Sequence, residues 1–110
     1  MKQGELWYAD LNPSKGSEQA GYRPVLIISG NMLNQHLKVV IVCPLTSQIK
    51  QYKGNLVLNP SKENNLKQKS EVLTFHIRSV SKIRLIEKIG NVEKKELELV
   101  HSSLGDILRY

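Results

Sequence analysis

The sequence predicts a mostly β fold with one C-terminal helix, arranged as a small antiparallel barrel or curled sheet. Three observations lead there. Short apolar and β-branched runs recur along the chain, separated by Gly, Pro and Asn. Two of these runs, Val25–Ile28 and Val39–Val42, are apolar at every position, as in strands covered on both faces. Beyond Gly90, the residues Leu97, Val100, Leu104, Ile107 and Leu108 fall on one stripe at helical spacing.

The elements follow in order. Gly4–Leu11 reads as a strand in which Leu6 and Tyr8 alternate with Trp7 and Ala9, and Asp10 to Pro13 ends it. Residues 12–22 form a polar, turn-rich loop that feeds Arg23 and Pro24 into the next strand, 23–29. Ser29-Gly30-Asn31 breaks that strand, and Met32–His36 makes a helical turn. Lys38–Thr46 is a strand, and Pro44 near its end argues for an edge or a bulge there. Ser47–Lys53 is a polar, basic loop. Gly54–Leu58 is a short strand with Leu56 and Leu58 on one face, and Asn59–Gln68 is loop. Ser70–Ile77 reads as a strand, Arg78–Lys82 as a connector and Leu85–Ile89 as a last short strand. The helix runs from about Glu93 to Leu108, with Glu93 a weaker cap than Ser or Thr.

At 110 residues the chain is expected to be a single domain over 1–110, with a core modest enough that a partner subunit would help it. One cysteine, Cys43, excludes an internal disulfide and a multi-cysteine metal site. Lys2, Glu5, Asp10 and Lys15 interrupt the first fifteen residues, unlike a signal peptide. No apolar run is long enough to span a bilayer, so a cytoplasmic location is expected. The net charge of +6 is unevenly placed. Residues 46–85 hold eight Lys/Arg against two Glu, a net of +6, while the flanking segments cancel. That block is either a surface for a polyanion or a solvated face.

A loop as long and polar as 12–22 suggests a use, since loops held by a rigid sheet often carry function. Arg23 sits where that loop becomes strand. If strands 23–29 and 38–46 pair symmetrically about Asn34-Gln35, residue 23 lies opposite residue 46, and opposed residues share a face. A bulge near Pro44 would shift this register.

Gly4–Pro13 and Gly16–Ser29 together resemble the opening of the MazF/PemK toxin family, small ribonucleases of bacterial toxin–antitoxin pairs. Val42–Ser47 is similar to the family's strand ending in Thr-Ser, and Ser70–Val80 is similar in part to its late strand. The resemblance covers nearly the whole chain and implies an SH3-like small barrel, as in MazF, Kid and CcdB. It implies a homodimer, a cognate MazE-like antitoxin with an acidic tail, and Arg23 and Thr46 as catalytic residues. It implies a toxin that cuts single-stranded RNA by attack of the RNA's own 2′-hydroxyl, leaving a 2′,3′-cyclic phosphate and a 5′-hydroxyl.

The residue types suit that chemistry. Charge builds on phosphate oxygens, and arginine offers them a planar fork of donors. Thr46 and the Ser47 amide add neutral donors. The nucleophile is internal to the substrate, so no metal or other cofactor is expected, and no carboxylate or His/Cys cluster of metal-ligand type is evident. Taken singly, Arg23 is an exposed loop arginine and Thr46 an ordinary strand-end threonine.

Arginine is a poor proton carrier. Glu18, in the Gly16-Ser17-Glu18-Gln19 loop, and His76 are candidates for that role; the plainer readings are a solvated carboxylate and a hydrogen-bonding contact. Ser17, Gln19, Ser47, Gln48, Lys50, Lys53 and Arg78 are candidate substrate contacts. Lys62, Lys67 and Lys69 extend a possible phosphate track. Gln48, Asn64 and Asn65 are possible base readers, and Tyr22 and Tyr52 possible stacking surfaces. Relatives often carry an acidic residue and Gln where this chain has Phe75-His76. A non-catalytic toxin resembling CcdB, which binds DNA gyrase, and a plain RNA- or protein-binding barrel remain as alternatives.

Overall fold

The computed structural model describes residues 1–12, 21–52 and 54–110. Along the chain come β1 (Glu5–Asp10), β2 (Tyr22–Ile27), α1 (Asn31–His36), β3 (Val39–Thr46), β4 (Val57–Leu58), β5 (Ser70–Val72), β6 (Arg78–Ser81), β7 (Leu85–Asn91) and α2 (Lys94–Arg109). Single 3₁₀ turns lie at Thr74–His76 and Lys82–Arg84. The sheet runs β4-β5-β3-β2-β1-β7, and β6 also pairs with β3. It curls into a half-barrel of the small SH3-like kind, with α2 against one face. No helix among the described residues is long and apolar enough to cross a membrane.

The all-apolar runs become the sheet's centre. Successive side chains of a strand point to opposite faces, and here both faces are covered. Leu6, Leu26, Cys43 and Leu45 pack with Val100 and Leu104 of α2. Ala9, Val25, Ile27, Val40 and Val42 pack with Val80 and Leu85 inside the curl. Trp7 closes the edge of this second cluster, and its indole N–H donates to Glu5 Oε1 at 2.9 Å. Each fully buried Leu, Ile or Val contributes about 1.5–3 kcal/mol. Cys43 is one of these buried side chains, its thiol pushed up to about 12 by burial.

Two sequence expectations need correction. Ser70–Ile77 is not one strand, and Arg78–Lys82 is not a connector. β5 pairs with the C-terminal end of β3, Leu45 opposite Val72, while β6 pairs with its N-terminal half, Val42 opposite Arg78. Between them residues 73–77 bulge out opposite Cys43 and Pro44. Pro44 has no N–H to offer a neighbour; its carbonyl accepts the Leu73 amide at 2.9 Å. The irregularity therefore falls on the strand beside Pro44, and the β2–β3 ladder on the other side stays in register.

The apolar stripe of α2 is buried only in part. Val100 and Leu104 are buried, but Ile107 and Leu108 at the end of the stripe are exposed. At its start Glu93 caps well. Its carboxylate accepts an amide of the first turn, and Glu96 reaches back to accept the Glu93 N–H at 2.8 Å. This reciprocal box satisfies donors a lone Glu would leave open.

Gly90 shows how tightly the 59–66 loop lies on β7. A Cβ there would stand 2.5 Å from the Glu63 carbonyl oxygen and 2.7 Å from Asn64 backbone atoms. Asn91 N–H donates to the same Glu63 oxygen at 2.8 Å. Gly90→Ala should therefore destabilise the fold by about 1–3 kcal/mol through overpacking. Urea unfolding checks this; a midpoint equal to the wild type's would show that the loop simply lifts away.

Candidate functional site

The β2–β3 register is the one the symmetric pairing predicts: Val25 faces Pro44, Leu26 faces Cys43 and Ile27 faces Val42. Extending that ladder by two residues sets Arg23 opposite Thr46. Both line a groove of about 490 Å³ at this end of the sheet. Arg23 is half-buried, and its Nη1 donates to the Leu45 carbonyl at 3.2 Å. Burial lowers the pKa of its guanidinium. Thr46 Oγ1 accepts the Gln48 amide at 3.1 Å, which leaves the hydroxyl proton available to donate.

Around this pair the groove is lined by Ser47, Gln48 and Lys50 from the loop after β3, by Lys67 and Gln68 ahead of β5 and Ser70 at its start, and by Phe75 and His76 from the 3₁₀ turn. Tyr8, Tyr22 and Tyr52 also line it. The bulge opposite Pro44 is what carries Phe75 and His76 to the groove. Tyr8, Gln68 and Ser70 had not been singled out. Tyr8 faces Pro24 across the β1–β2 ladder, and strand alternation alone could have flagged it.

Several expected residues lie elsewhere. Arg78 is not among the lining residues. β6 pairs with the half of β3 remote from Thr46, which sets Arg78 opposite Val42. Its Nη1 is buried and has no hydrogen-bond partner among the described residues. Asn64 is buried and holds its own loop, accepting the Ser61 and Leu66 amides and donating to the Asn59 carbonyl at 2.8–3.0 Å. Asn65 donates to the Ile89 carbonyl at 2.9 Å. Neither is among the groove's lining residues, and the Asn64 side chain is taken up within its own loop. The basic block divides too. Lys50 and Lys67 line the groove, whereas Lys82 donates to the Asn34 carbonyl and Arg84 to those of Asp10 and Asn12. Ser17, Glu18, Gln19 and Lys53 lie outside the described residues. Among the described residues no three His, Cys, Asp or Glu side chains come together as metal ligands would.

The rim after β3 is held by a residue that sequence reading passed over. Glu71 sits opposite Thr46 in the β3–β5 ladder and is fully buried. Its Oε1 accepts the amides of Lys50 and Gln51 at 2.8 and 3.1 Å. Its Oε2 accepts the Tyr52 amide at 2.9 Å and Asn55 Nδ2 at 3.1 Å. Burial pushes the carboxyl pKa up, but these four donors outweigh it and hold the pKa below its ordinary value.

With this geometry in place, the chain can be set beside known proteins. The family model for the PemK-like, MazF-like toxin of type II toxin-antitoxin system matches residues 2–108. The chain belongs to the PemK/MazF toxin family. It is 34% identical over 105 residues to endoribonuclease EndoA of Bacillus subtilis, covering 94% of this chain and 90% of that protein. It is 35% identical over 106 residues to endoribonuclease MazF of Staphylococcus saprophyticus, covering 94% and 88%. Among solved structures, MazF from Deinococcus radiodurans superposes with a TM-score of 0.87 at 30% identity, over 100% of this chain and 97% of that one. The SH3-like half-barrel with its C-terminal helix is thus the PemK/MazF fold.

Glu71 gives a pH-dependent prediction. Its folded pKa lies below the ordinary 4.5, so its stabilisation is complete above that value and is lost as pH falls through the folded value. Glu71→Gln cannot accept all four donors and should cost about 2–4 kcal/mol at neutral pH. The gap from wild type should narrow in acid, as the wild-type carboxyl protonates. Thermal unfolding across a pH series measures this, and a gap independent of pH would contradict it.

Proposed function

We propose that this chain is the toxin of a type II toxin–antitoxin pair and cuts single-stranded RNA as an endoribonuclease, with Arg23 and Thr46 at its catalytic centre. The observation that carries the assignment is the β2–β3 register, which brings both residues to one groove in a chain of this family. In the reaction proposed, the 2′-oxygen attacks phosphorus, the P–O2′ bond forms and the P–O5′ bond breaks. A 2′,3′-cyclic phosphate and a 5′-hydroxyl remain. Charge builds on the non-bridging oxygens. Arg23 stabilises it with its fork of donors and Thr46 with its hydroxyl proton. The 2′-hydroxyl supplies the nucleophile, so the step needs no metal-bound water.

One proton must leave O2′ and one must reach O5′. His76 is the one imidazole among the described lining residues, and histidine is the side chain suited to both transfers near neutrality. We assign His76 one of those two transfers and leave Glu18 as the alternative carrier. Ser47, Gln48, Lys50 and Lys67 serve as substrate contacts, with Ser17, Gln19 and Lys53 as further candidates. The whole chain, 1–110, acts as one toxin domain in the cytoplasm. Its protein partners are an antitoxin and a second copy of the chain. Membership of the PemK/MazF family weighs against both a gyrase-binding toxin and a plain binding barrel.

Arg23→Ala should reduce cleavage of a long RNA by about 10²–10³-fold, the usual cost of losing a donor to developing charge. Thr46→Ala should cost less. Both assays should give the same rates with excess EDTA. Near-full activity of a folded Arg23→Ala would refute the assignment, and loss of wild-type cleavage in EDTA would refute the metal-free step.

His76→Gln separates proton transfer from binding. A proton carrier predicts a kcat lower by about 10²-fold or more, with a changed pH–rate profile. A raised KM with unchanged kcat and an unchanged profile would make His76 a substrate contact only.

A further inference from the structure

Beside the Arg23–Thr46 pair, the groove has an aromatic corner whose support is more elaborate than packing requires. The Tyr52 and Phe75 rings lie 5.1 Å apart at 84°, edge to face, and the His76 ring lies 4.6 Å from Phe75. All three line the groove. Yet Tyr52 is 48% exposed and Phe75 45% exposed, so neither ring is part of a core.

The Tyr52 backbone and the residue before Phe75 are tied to a single network around buried Glu71. Glu71 accepts the Tyr52 amide, and the same carboxylate oxygen accepts Asn55 Nδ2. Asn55 Oδ1 in turn accepts the hydroxyl of buried Thr74 at 2.6 Å, the residue before Phe75. The Asn55 amide also donates to the Tyr52 carbonyl at 3.1 Å. One carboxylate and one carboxamide thereby hold the loop that carries Tyr52 and the 3₁₀ turn that carries Phe75. Rings held this way lose little freedom when a ligand arrives.

We propose that the Tyr52–Phe75–His76 corner is a stacking subsite for one unpaired RNA base. The base lies flat on one ring with its edge against the other, and Glu71 and Asn55 act as positioning residues for the corner. The subsite rests on the reading that the groove takes RNA. Lys50 and Lys67 line the same groove, so a backbone held on them brings its bases past the corner. Stacking of this kind accepts any base, because every base has a π-face. The corner therefore fixes where the strand lies, and hydrogen-bonding groups such as Gln48 and Gln68 remain to tell bases apart.

The test uses a short unpaired RNA with 2′-fluoro sugars throughout, which cannot supply the attacking hydroxyl. A single abasic site is moved along it, and affinity is measured at each position. For wild type, one position should show a penalty of about tenfold or more, the usual worth of a stacked base. In Phe75→Leu that penalty should fall to the level of its neighbours, and in Phe75→Trp it should persist. If Phe75→Leu does not fold by circular dichroism, Tyr52→Leu takes its place. Absence of such a position, or its persistence in the folded leucine variant, overturns the subsite and leaves the corner to a protein partner. Cleavage of the unmodified RNA is scored separately. Cleavage with a flat abasic profile removes the subsite and keeps the nuclease. A position-specific penalty without cleavage keeps the subsite and removes the nuclease.

Discussion

The register of β2 on β3 is the constraint on which the groove depends. In most sheets register is fixed by one buried face, since a slip of one residue exposes it. That safeguard is weak here, because β2 and β3 are apolar on both faces and both are covered. The connection between them supplies the missing specification. Asn34 of α1 is buried and donates to the Ser29 carbonyl at 2.9 Å; Ser29 Oγ accepts the Ile41 amide at 3.0 Å and bonds Asn34 Oδ1. Asn34 fixes the Ser29 hydroxyl, and that hydroxyl meets the Ile41 amide in only one alignment of the strands. A slip would break this bond, at about 1–3 kcal/mol for a buried group left unsatisfied. It would also turn Arg23 away from the face that Thr46 shares.

A second buried polar group governs the rim. Glu71 is fully buried in β5, where a charge is costly unless fully bonded. It is fully bonded, by three consecutive amides and a carboxamide of the loop after β3. Gln51 holds a positive φ of 55°, an unusual conformation for a residue with a side chain, and its amide is one of those three. The carboxylate thus sustains a loop path that the loop sequence would not adopt by itself.

This contrast explains how much could be read in advance. Arg23 and Thr46 were legible because strand pairing is arithmetic: a short connection of known centre fixes which residues oppose. The two-sided strands and α2 were legible from periodicity. The break at residues 73–77 was not, because its cause lies in another strand, at Pro44. Glu71 resembled any polar residue in a short strand, since its four partners are backbone amides and a distant Asn, none with a sequence signature. Asn64 looked like a base reader for the same reason; only the fold shows that its amide is consumed by Ser61, Leu66 and Asn59. Charge counting over 46–85 pointed to a segment that includes two groove-lining lysines, Lys50 and Lys67. It did not show that Lys82 and Arg84 hold carbonyls at the ends of other elements while Lys50 and Lys67 face the groove.

The groove is therefore assembled from two parts with separate physical support. Arg23 and Thr46 stand at the end of a hydrogen-bonded ladder whose interior residues are buried on both faces. Lys50, Tyr52, Phe75 and His76 stand on a loop and a turn outside that ladder, joined to it through Glu71 and Asn55. Substitutions at the rim can alter the lining of the groove without moving the Arg23–Thr46 pair. On the function proposed above, the chemistry then rests on the sheet and the choice of RNA on the rim. The Phe75-His76 departure lies on the part of the groove where such a difference is least costly to the fold.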